Sequence, residues 1–414
     1  MSSRRIIATV LLLTFILSGC HSAAQPPQNP VLETQPLQTT LEPTTISTIP
    51  ETTVPVSTEA TVIPETSAPV ETETAPIEPE FDAFALVSQL STEEKVGQLF
   101  LARCPEVDAL ADISNYHLGG YILFDRDFRH STPDDVSQTT ESFQQESRIP
   151  MLIAVDEEGG SVTRVSYYSQ YRHSNFPSPR SLYDQGGFAL VEETEHEKCQ
   201  LLASLGINVN MAPVCDVTTD PEAFMYDRSL GQSPYTTAYF AKRMVSIMNE
   251  HQIGCVLKHF PGYGNNTDTH TGIATDNRTL EELVSADLIP FSVGIKAGCD
   301  AILVSHTFIN AIDPALPASL SPTVNDYLRS EMGFDGVVVT DDLVMEAITD
   351  LYGAEEAAVL AVLAGNDLLC SSEYKTQYAA VLEAVQSGRI PTELLDQAVS
   401  RVLQWKYQIG LIHS

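Results

Sequence analysis

Between residues 99 and 370 the chain repeats one pattern: a short, predominantly apolar run followed by a longer stretch of helical periodicity. The runs are Leu99–Cys104, Gly120–Phe124, Met151–Val155, Ile207–Val214, Gly254–Leu257, Ala301–Val304, Gly336–Val339 and Asp367–Cys370. Runs that are apolar throughout predict parallel strands buried on both faces, and the intervals between most of them have room for a helix. Ser91-Thr92-Glu93-Glu94 and Thr279 with Glu282 carry the capping-box spacing that opens a helix. Near the C-terminus Leu394, Leu395, Ala398, Val399, Val402 and Leu403 fall on one helical face. Eight strand–helix units predict a closed (β/α)8 TIM barrel rather than an open doubly wound sheet. No Gly-x-Gly-x-x-Gly turn follows the first run, which argues against a dinucleotide site.

Composition changes the picture at the N-terminus. Residues 21–80 contain 13 Thr, 11 Pro and 9 Glu and no Gly, Lys or Arg. Such a stretch buries too little apolar surface to offset its conformational entropy, so it predicts a disordered Thr/Pro/Glu-rich tether. Before it, Arg4 and Arg5 precede the apolar run Ile6–Leu17, which ends in Leu17-Ser18-Gly19-Cys20. That pattern resembles a bacterial lipoprotein signal in which Cys20 becomes the lipidated first residue. The expected organisation is a signal peptide over residues 1–19, a lipidated linker over 20–80 and one catalytic barrel over 81–414. The protein is then exported and held by lipid at the outer face of the cytoplasmic membrane, or on the periplasmic side where there are two membranes. Of the net charge of −33, residues 81–414 carry −26. That excludes a nucleic-acid partner, which requires a basic face. The remaining cysteines, Cys104, Cys199, Cys215, Cys255, Cys299 and Cys370, show no C-x-x-C spacing and read as small core residues, with neither disulfide nor zinc predicted.

Candidate chemistry sits where the apolar runs end, because barrel enzymes place their reacting groups just past the C-terminal ends of the strands. The third run meets Asp156-Glu157-Glu158-Gly159-Gly160 with Arg164 behind it. The fourth leads to Asp216 and Arg228. The fifth ends in Lys258-His259 and continues to Asp268-Thr269-His270. The sixth ends in Ser305-His306, and the seventh in Thr340-Asp341-Asp342. Singly, Asp216 or Asp342 reads equally well as a helix cap, and His306 as a satisfied wall residue. Together, the charges predict an open pocket for a polar, multiply hydroxylated ligand. No His-x-His, His-Glu-x-x-His or Gly-x-Ser-x-Gly occurs, so neither a metal hydrolase nor a serine hydrolase is indicated. Glycoside hydrolysis needs a carboxylate nucleophile and an acid/base, which Asp341 and the Asp268/His270 segment supply.

These segments also carry a resemblance. VDEEGG (155–160), KHFPGYGNNTDTH (258–270) and VVTDDLVM (338–345) resemble family 3 glycoside hydrolases, and more narrowly their bacterial β-N-acetylhexosaminidase branch. The resemblance extends over about residues 85–412. It implies Asp341 as nucleophile, and His270 as acid/base assisted by Asp268. It implies that Asp156, Arg164, Arg228, Lys258 and His259 bind a terminal N-acetylglucosamine. The substrate it implies is a cell-wall or chitin-type oligosaccharide ending in that sugar, with no cofactor and no metal. Two departures stand out: Asp268-Thr269-His270 replaces Asp-Ser-His, and Tyr263 replaces the His of the usual Gly-His-Gly. Competing readings are a lipid-anchored sugar-binding protein without turnover, a β-glucosidase, or a phosphorylase that uses phosphate in place of water.

Overall fold

The computed structural model describes residues 81–264 and 272–413. Its centre is a sheet of eight parallel strands: β1 (Phe100–Arg103), β2 (Gly120–Leu123), β3 (Leu152–Val155), β4 (Val209–Asn210), β5 (Gly254–Phe260), β6 (Ala301–Val304), β7 (Val337–Thr340) and β8 (Leu369–Ser371). Strands β1 to β7 pair in chain order, and β8 lies along the free edge of β1, with Phe100 opposite Leu369. A parallel bridge between Val339 and Leu368 joins β7 to β8 and closes the ring. This is the (β/α)8 barrel that the hydrophobic pattern predicts. A separate two-stranded pair, Thr275–Asp276 with Phe308–Ile309, lies outside it.

Helices cover the outside of the barrel. Four of them open on the same local device, a Ser or Thr cap followed by Pro: Thr132-Pro133, Ser178-Pro179, Ser233-Pro234 and Ser321-Pro322. The cap hydroxyl accepts a backbone N–H of the first turn, and Pro occupies a position whose N–H would have no helical partner. Both expected capping boxes, Ser91/Glu94 and Thr279/Glu282, are formed.

Alternation along the strands sorts the side chains into two cores. Leu101, Ile122, Leu152, Ala154, Val209, Val256, Leu303, Val337, Val339 and Cys370 pack in the barrel interior. Their neighbours Phe100, Tyr121, Ile153, Val155, Leu257, Ile302, Val304, Val338 and Leu369 face the helices. From the last helix (Thr392–Gln408), Val402 and Trp405 join the interior cluster, as does Ile409 just beyond it. A Cβ at Gly254, the first residue of β5, would lie 2.8 Å from the Trp405 ring, so only glycine fits there. The interior is thus plugged at the N-terminal end of the strands, and the opposite rim is left for chemistry.

Two details differ from expectation. The fourth strand is only two residues long, not eight. Asn208 and Asn210 there turn their side-chain amides to the β3 backbone: Ile153 N–H donates to Asn208 Oδ1 and Glu157 N–H to Asn210 Oδ1. Side chains replace part of the backbone ladder, so regular pairing stops while the chain stays extended. Strand β5 runs three residues past the apolar run, through Lys258 and His259 to Phe260. The six cysteines of the described residues are all buried and unpaired.

Candidate active site

The pleat determines which residues reach the rim. Side chains two apart share a face, so the residue two beyond the last inward apolar position also points inward. That rule selects Arg103 after Leu101, Phe124 after Ile122, Asp156 after Ala154, Lys258 after Val256, Asp341 after Val339 and Ser372 after Cys370. All six line one cavity of about 450 Å³ at the C-terminal end of the barrel. Glu158, Arg164, Arg228, His259 and Asp342 line it as well. Asp156, Arg164, Arg228, Lys258, His259 and Asp341 are therefore brought together as the sequence predicts. Asp268 and His270 lie outside the described residues, as does Cys20.

Glu158 is the electrostatic centre of the β3–β5 wall. Its Oε1 is 2.6 Å from Lys258 Nζ and 2.7 Å from Arg228 Nη2, and its Oε2 is 2.9 Å from Arg228 Nε. Lys258 Nζ is also 2.7 Å from Asp156 Oδ1. Burial alone would raise the Glu158 carboxyl, but Lys258 and Arg228 more than offset it and hold it well below the usual carboxylate range. Burial opposes the charge on Lys258 too, yet Asp156 and Glu158 keep its ammonium above the ordinary lysine value. The wall therefore stays ionised, with its donors fixed in direction. The turn that presents it requires Gly159 and Gly160, both at positive φ (104° and 67°). A Cβ on Gly159 would meet the Pro177 carbonyl at 2.3 Å.

Asp216 acts on His259 and caps no helix. Its Oδ2 accepts His259 Nδ1–H at 2.8 Å, and its Oδ1 accepts the Tyr263 N–H at 2.7 Å. With Nδ1 donating, His259 Nε2 holds the lone pair that accepts from Arg228 Nη2 at 3.2 Å. Tyr263 is buried and packs edge-on against His259, with ring centroids 5.2 Å apart. The replaced histidine position therefore serves packing beneath the site.

On the opposite side, Asp341 Oδ1 accepts the Asp342 N–H at 2.9 Å. Asp342 ties β7 to β8: its carboxylate accepts the Ser372 N–H at 3.1 Å and the Ser372 hydroxyl at 2.5 Å. The buried Cys370 thiol, which lines the same cavity, is raised well above its ordinary value by burial, then by Asp342, Asp341 and Asp156. His306 is fully buried between Ser319 Oγ (2.7 Å) and the Asp342 carbonyl (3.0 Å), as a satisfied wall residue. Glu157 is also structural: its carboxylate accepts the N–H groups of Arg164, Val165 and Ser166 and so anchors the loop that carries Arg164.

Sequence reasoning set Glu158 among the charges at the end of the third run but gave it no role, and it did not place Arg103 or Ser372 in the site. For Arg103 and Ser372 the signal was present, since inward Leu101 and Cys370 assign their faces. Glu158 differs, because its partners stand 70 and 100 positions away and only the fold brings them together. Among the described residues no cluster of His, Cys, Asp and Glu has the arrangement of a metal site.

The family model described as the glycosyl hydrolase family 3 N-terminal domain matches residues 91–405. The chain is 31% identical over 329 residues to the beta-hexosaminidase LpqI of Mycobacterium tuberculosis, covering 77% of this chain and 83% of that protein. It is 32% identical over 313 residues to a beta-hexosaminidase of Xylella fastidiosa, covering 72% and 89%. Among solved structures, a family 3 beta-N-acetylglucosaminidase from a Paenibacillus species superposes with a TM-score of 0.72 at 35% identity. That match covers 78% of this chain and 64% of the Paenibacillus chain, which therefore extends well beyond it.

Proposed function

The chain belongs to glycosyl hydrolase family 3, and from that premise we propose that it is a retaining exo-β-N-acetylglucosaminidase. One observation carries the reading most directly. Asp341 shares a closed-bottomed cavity with a fixed ring of donors and acceptors, Asp156, Lys258, Glu158, Arg228 and His259. Paired charges of both signs suit a neutral sugar with many hydroxyls, and a blind end suits a terminal residue. In this reading Lys258, Asp156, Arg228, Arg164 and His259 hold the N-acetylglucosamine ring. Asp341 attacks the anomeric carbon as the leaving oxygen takes a proton from His270, which is supported by Asp268. The same imidazole then activates water, which releases the sugar with retained configuration.

The substrate class is a cell-wall or chitin-type oligosaccharide with terminal β-linked N-acetylglucosamine. Lipid attachment through Cys20 and the tether over residues 21–80 hold the barrel at the outer face of the cytoplasmic membrane, or on the periplasmic side where there are two membranes; a Cys20→Ala variant that still fractionates with membranes would refute the anchor. The function itself is tested by hydrolysis of paired aryl N-acetylglucosaminide and aryl glucoside substrates, each with and without phosphate. A 2-fluoro glycosyl trap should label the peptide that contains Asp341, and Asp341→Asn should abolish turnover in a folded protein. A label on Asp342 or Asp156 would show that the nucleophile is misassigned.

A further inference from the structure

Arg228 stands on a stretch of chain without regular structure: residues 215–233 form neither helix nor strand. Glu158 fixes the end of its side chain, but little within the stretch fixes the backbone that carries it. The N–H groups of Arg228 and Ser229 donate to the Met225 carbonyl, that of Tyr226 to Ala223, and the Ser229 hydroxyl to Tyr226. These bonds are local and do not join one end of the stretch to the other. Burial of Met225 and Leu230 holds the stretch against the domain, but that force has no direction.

The two ends are joined from outside by Arg180, in the first turn of the helix Pro179–Ser204. Its Nη2 donates to the Thr218 carbonyl at 3.3 Å and to the buried Ser229 Oγ at 3.4 Å. Its guanidinium carbon lies 3.5 Å from the centre of the Tyr226 ring. Gly231, at φ 73°, passes so close to the same group that a Cβ there would collide with the guanidinium. One side chain thus touches the stretch before Arg228, at Thr218, and on both sides of it, at Tyr226 and Ser229. The position is an unfavourable one for a cation. The helix dipole opposes positive charge in a first turn, that turn carries no acidic residue, and the Arg180 Nε is buried without an acceptor. A guanidinium is the group that can reach two acceptors in its plane while stacking on a ring; an ammonium is a point charge and cannot do both.

We propose that Arg180, which does not line the cavity, is a positioning residue for sugar binding: it clasps the stretch that carries Arg228 and so fixes where that guanidinium stands. The inference rests on the hexosaminidase reading, in which Arg228 holds the N-acetylglucosamine ring, and adds a residue outside the cavity on which that contact depends. A contact to the ring is made in the bound substrate as well as in the transition state, so loosening it weakens binding and leaves kcat in place.

The test follows kcat and KM on an aryl β-N-acetylglucosaminide, together with the inhibition constant of free N-acetylglucosamine, which reports binding of the ring apart from chemistry. Arg180→Ala should raise KM and the inhibition constant by about tenfold, the worth of one charge-assisted hydrogen bond, with kcat within about threefold. Methylguanidinium should restore binding to this variant, and methylammonium should not. Arg180→Lys should keep only part of the wild-type affinity. In an Arg228→Met background, Arg180→Ala should have no further effect on the inhibition constant, because the group it positions is gone. The same factor in both backgrounds overturns the inference, as does a fall in kcat at unchanged inhibition constant. Should Arg180→Ala not fold, Arg180→Lys and Tyr226→Leu carry the test, and wild-type inhibition constants in both overturn it. Failure of the wild type to hydrolyse the N-acetylglucosaminide overturns the hexosaminidase reading and this inference with it. Hydrolysis with an inhibition constant independent of Arg180 overturns this inference alone.

Discussion

Replacing Glu158 by Gln removes one charge, preserves the shape of the side chain, and tests how the site is held together. Glu158 is almost fully buried, with 1% of its side chain exposed, and it is the one carboxylate within ion-pair distance of Arg228 among the described residues. Gln retains one acceptor but turns an amide donor toward two cations. Leaving a buried charge without its partner costs about 3–5 kcal/mol. Lys258 keeps Asp156 at 2.7 Å, so the lower end, about 3 kcal/mol, is the expectation. For a domain of roughly 330 residues the unfolding entropy near 60 °C is about 0.7 kcal/mol per degree, so Tm should fall by about 4 °C. The deficit should be constant between pH 5 and 8. It should shrink in acid, because the depressed Glu158 carboxyl gives stability that is present above the unfolded value of 4.5 and lost as pH falls through the folded value. Adding Arg228→Met to Glu158→Gln removes the stranded cation, so the double variant should recover at least about 1 kcal/mol relative to additivity. Urea denaturation of the four proteins measures the cycle. A Tm within about 1 °C of wild type, or strictly additive losses, would refute the claim that these charges are held by one another.

Further expectations concern other parts of the molecule. If His270 is the acid/base, His270→Ala should lose about 10²–10⁴ in rate on a sugar leaving group, much less in the first step on a nitrophenyl one, and show a burst of nitrophenol by stopped flow; equal losses without a burst would move the role elsewhere. Asp216→Ala leaves the His259 ring N–H and two backbone N–H groups without their acceptor, at about 1–3 kcal/mol for each buried group, and should raise KM together with the loss of stability seen in denaturant melts. Lys406 is fully buried against Gln98 Oε1 (2.7 Å), and burial pushes its ammonium down to about 7. The unfolded chain then binds the extra proton between about pH 7 and the unfolded value of 10.5, so wild-type stability should rise across that window by up to about 1.4 kcal/mol per pH unit from this group. Lys406→Met should be stabilising at pH 7 and should flatten that slope; an unchanged slope would show that the ammonium is solvated.

The barrel was legible in the sequence because strands buried on both faces leave predominantly apolar runs, and eight of them can close a ring. β4 was least legible, since Asn208 and Asn210 satisfy its neighbour with side-chain amides, a substitution that hydropathy does not register. The site was legible where a charge follows directly on a run, as with Asp156, Lys258 and Asp341. Arg103 escaped notice because it lies inside the run Leu99–Cys104, where one cation reads as an interruption and not as the end of an inward series. Asp216 and Glu158 carry a different difficulty. Their roles depend on His259, Lys258 and Arg228, and nothing in local pattern ranks one distant carboxylate above another.

The distribution of cations connects these points. Residues 81–414 hold 20 lysines and arginines, and four of them, Arg103, Arg164, Arg228 and Lys258, are among the nineteen residues that line the cavity. Against them stand Asp156, Glu158, Asp341, Asp342 and Glu346, so the cavity is nearly neutral inside a domain of net charge −26. Field from the distant acidic surface is screened within about a Debye length, roughly 8 Å at physiological salt, whereas charges packed in the cavity act on one another with little screening. The local balance therefore sets the potential inside the cavity. Removing Lys258 should act first on Asp156 and Glu158, removing Arg228 first on Glu158, and removing an acid first on the cation it is paired with.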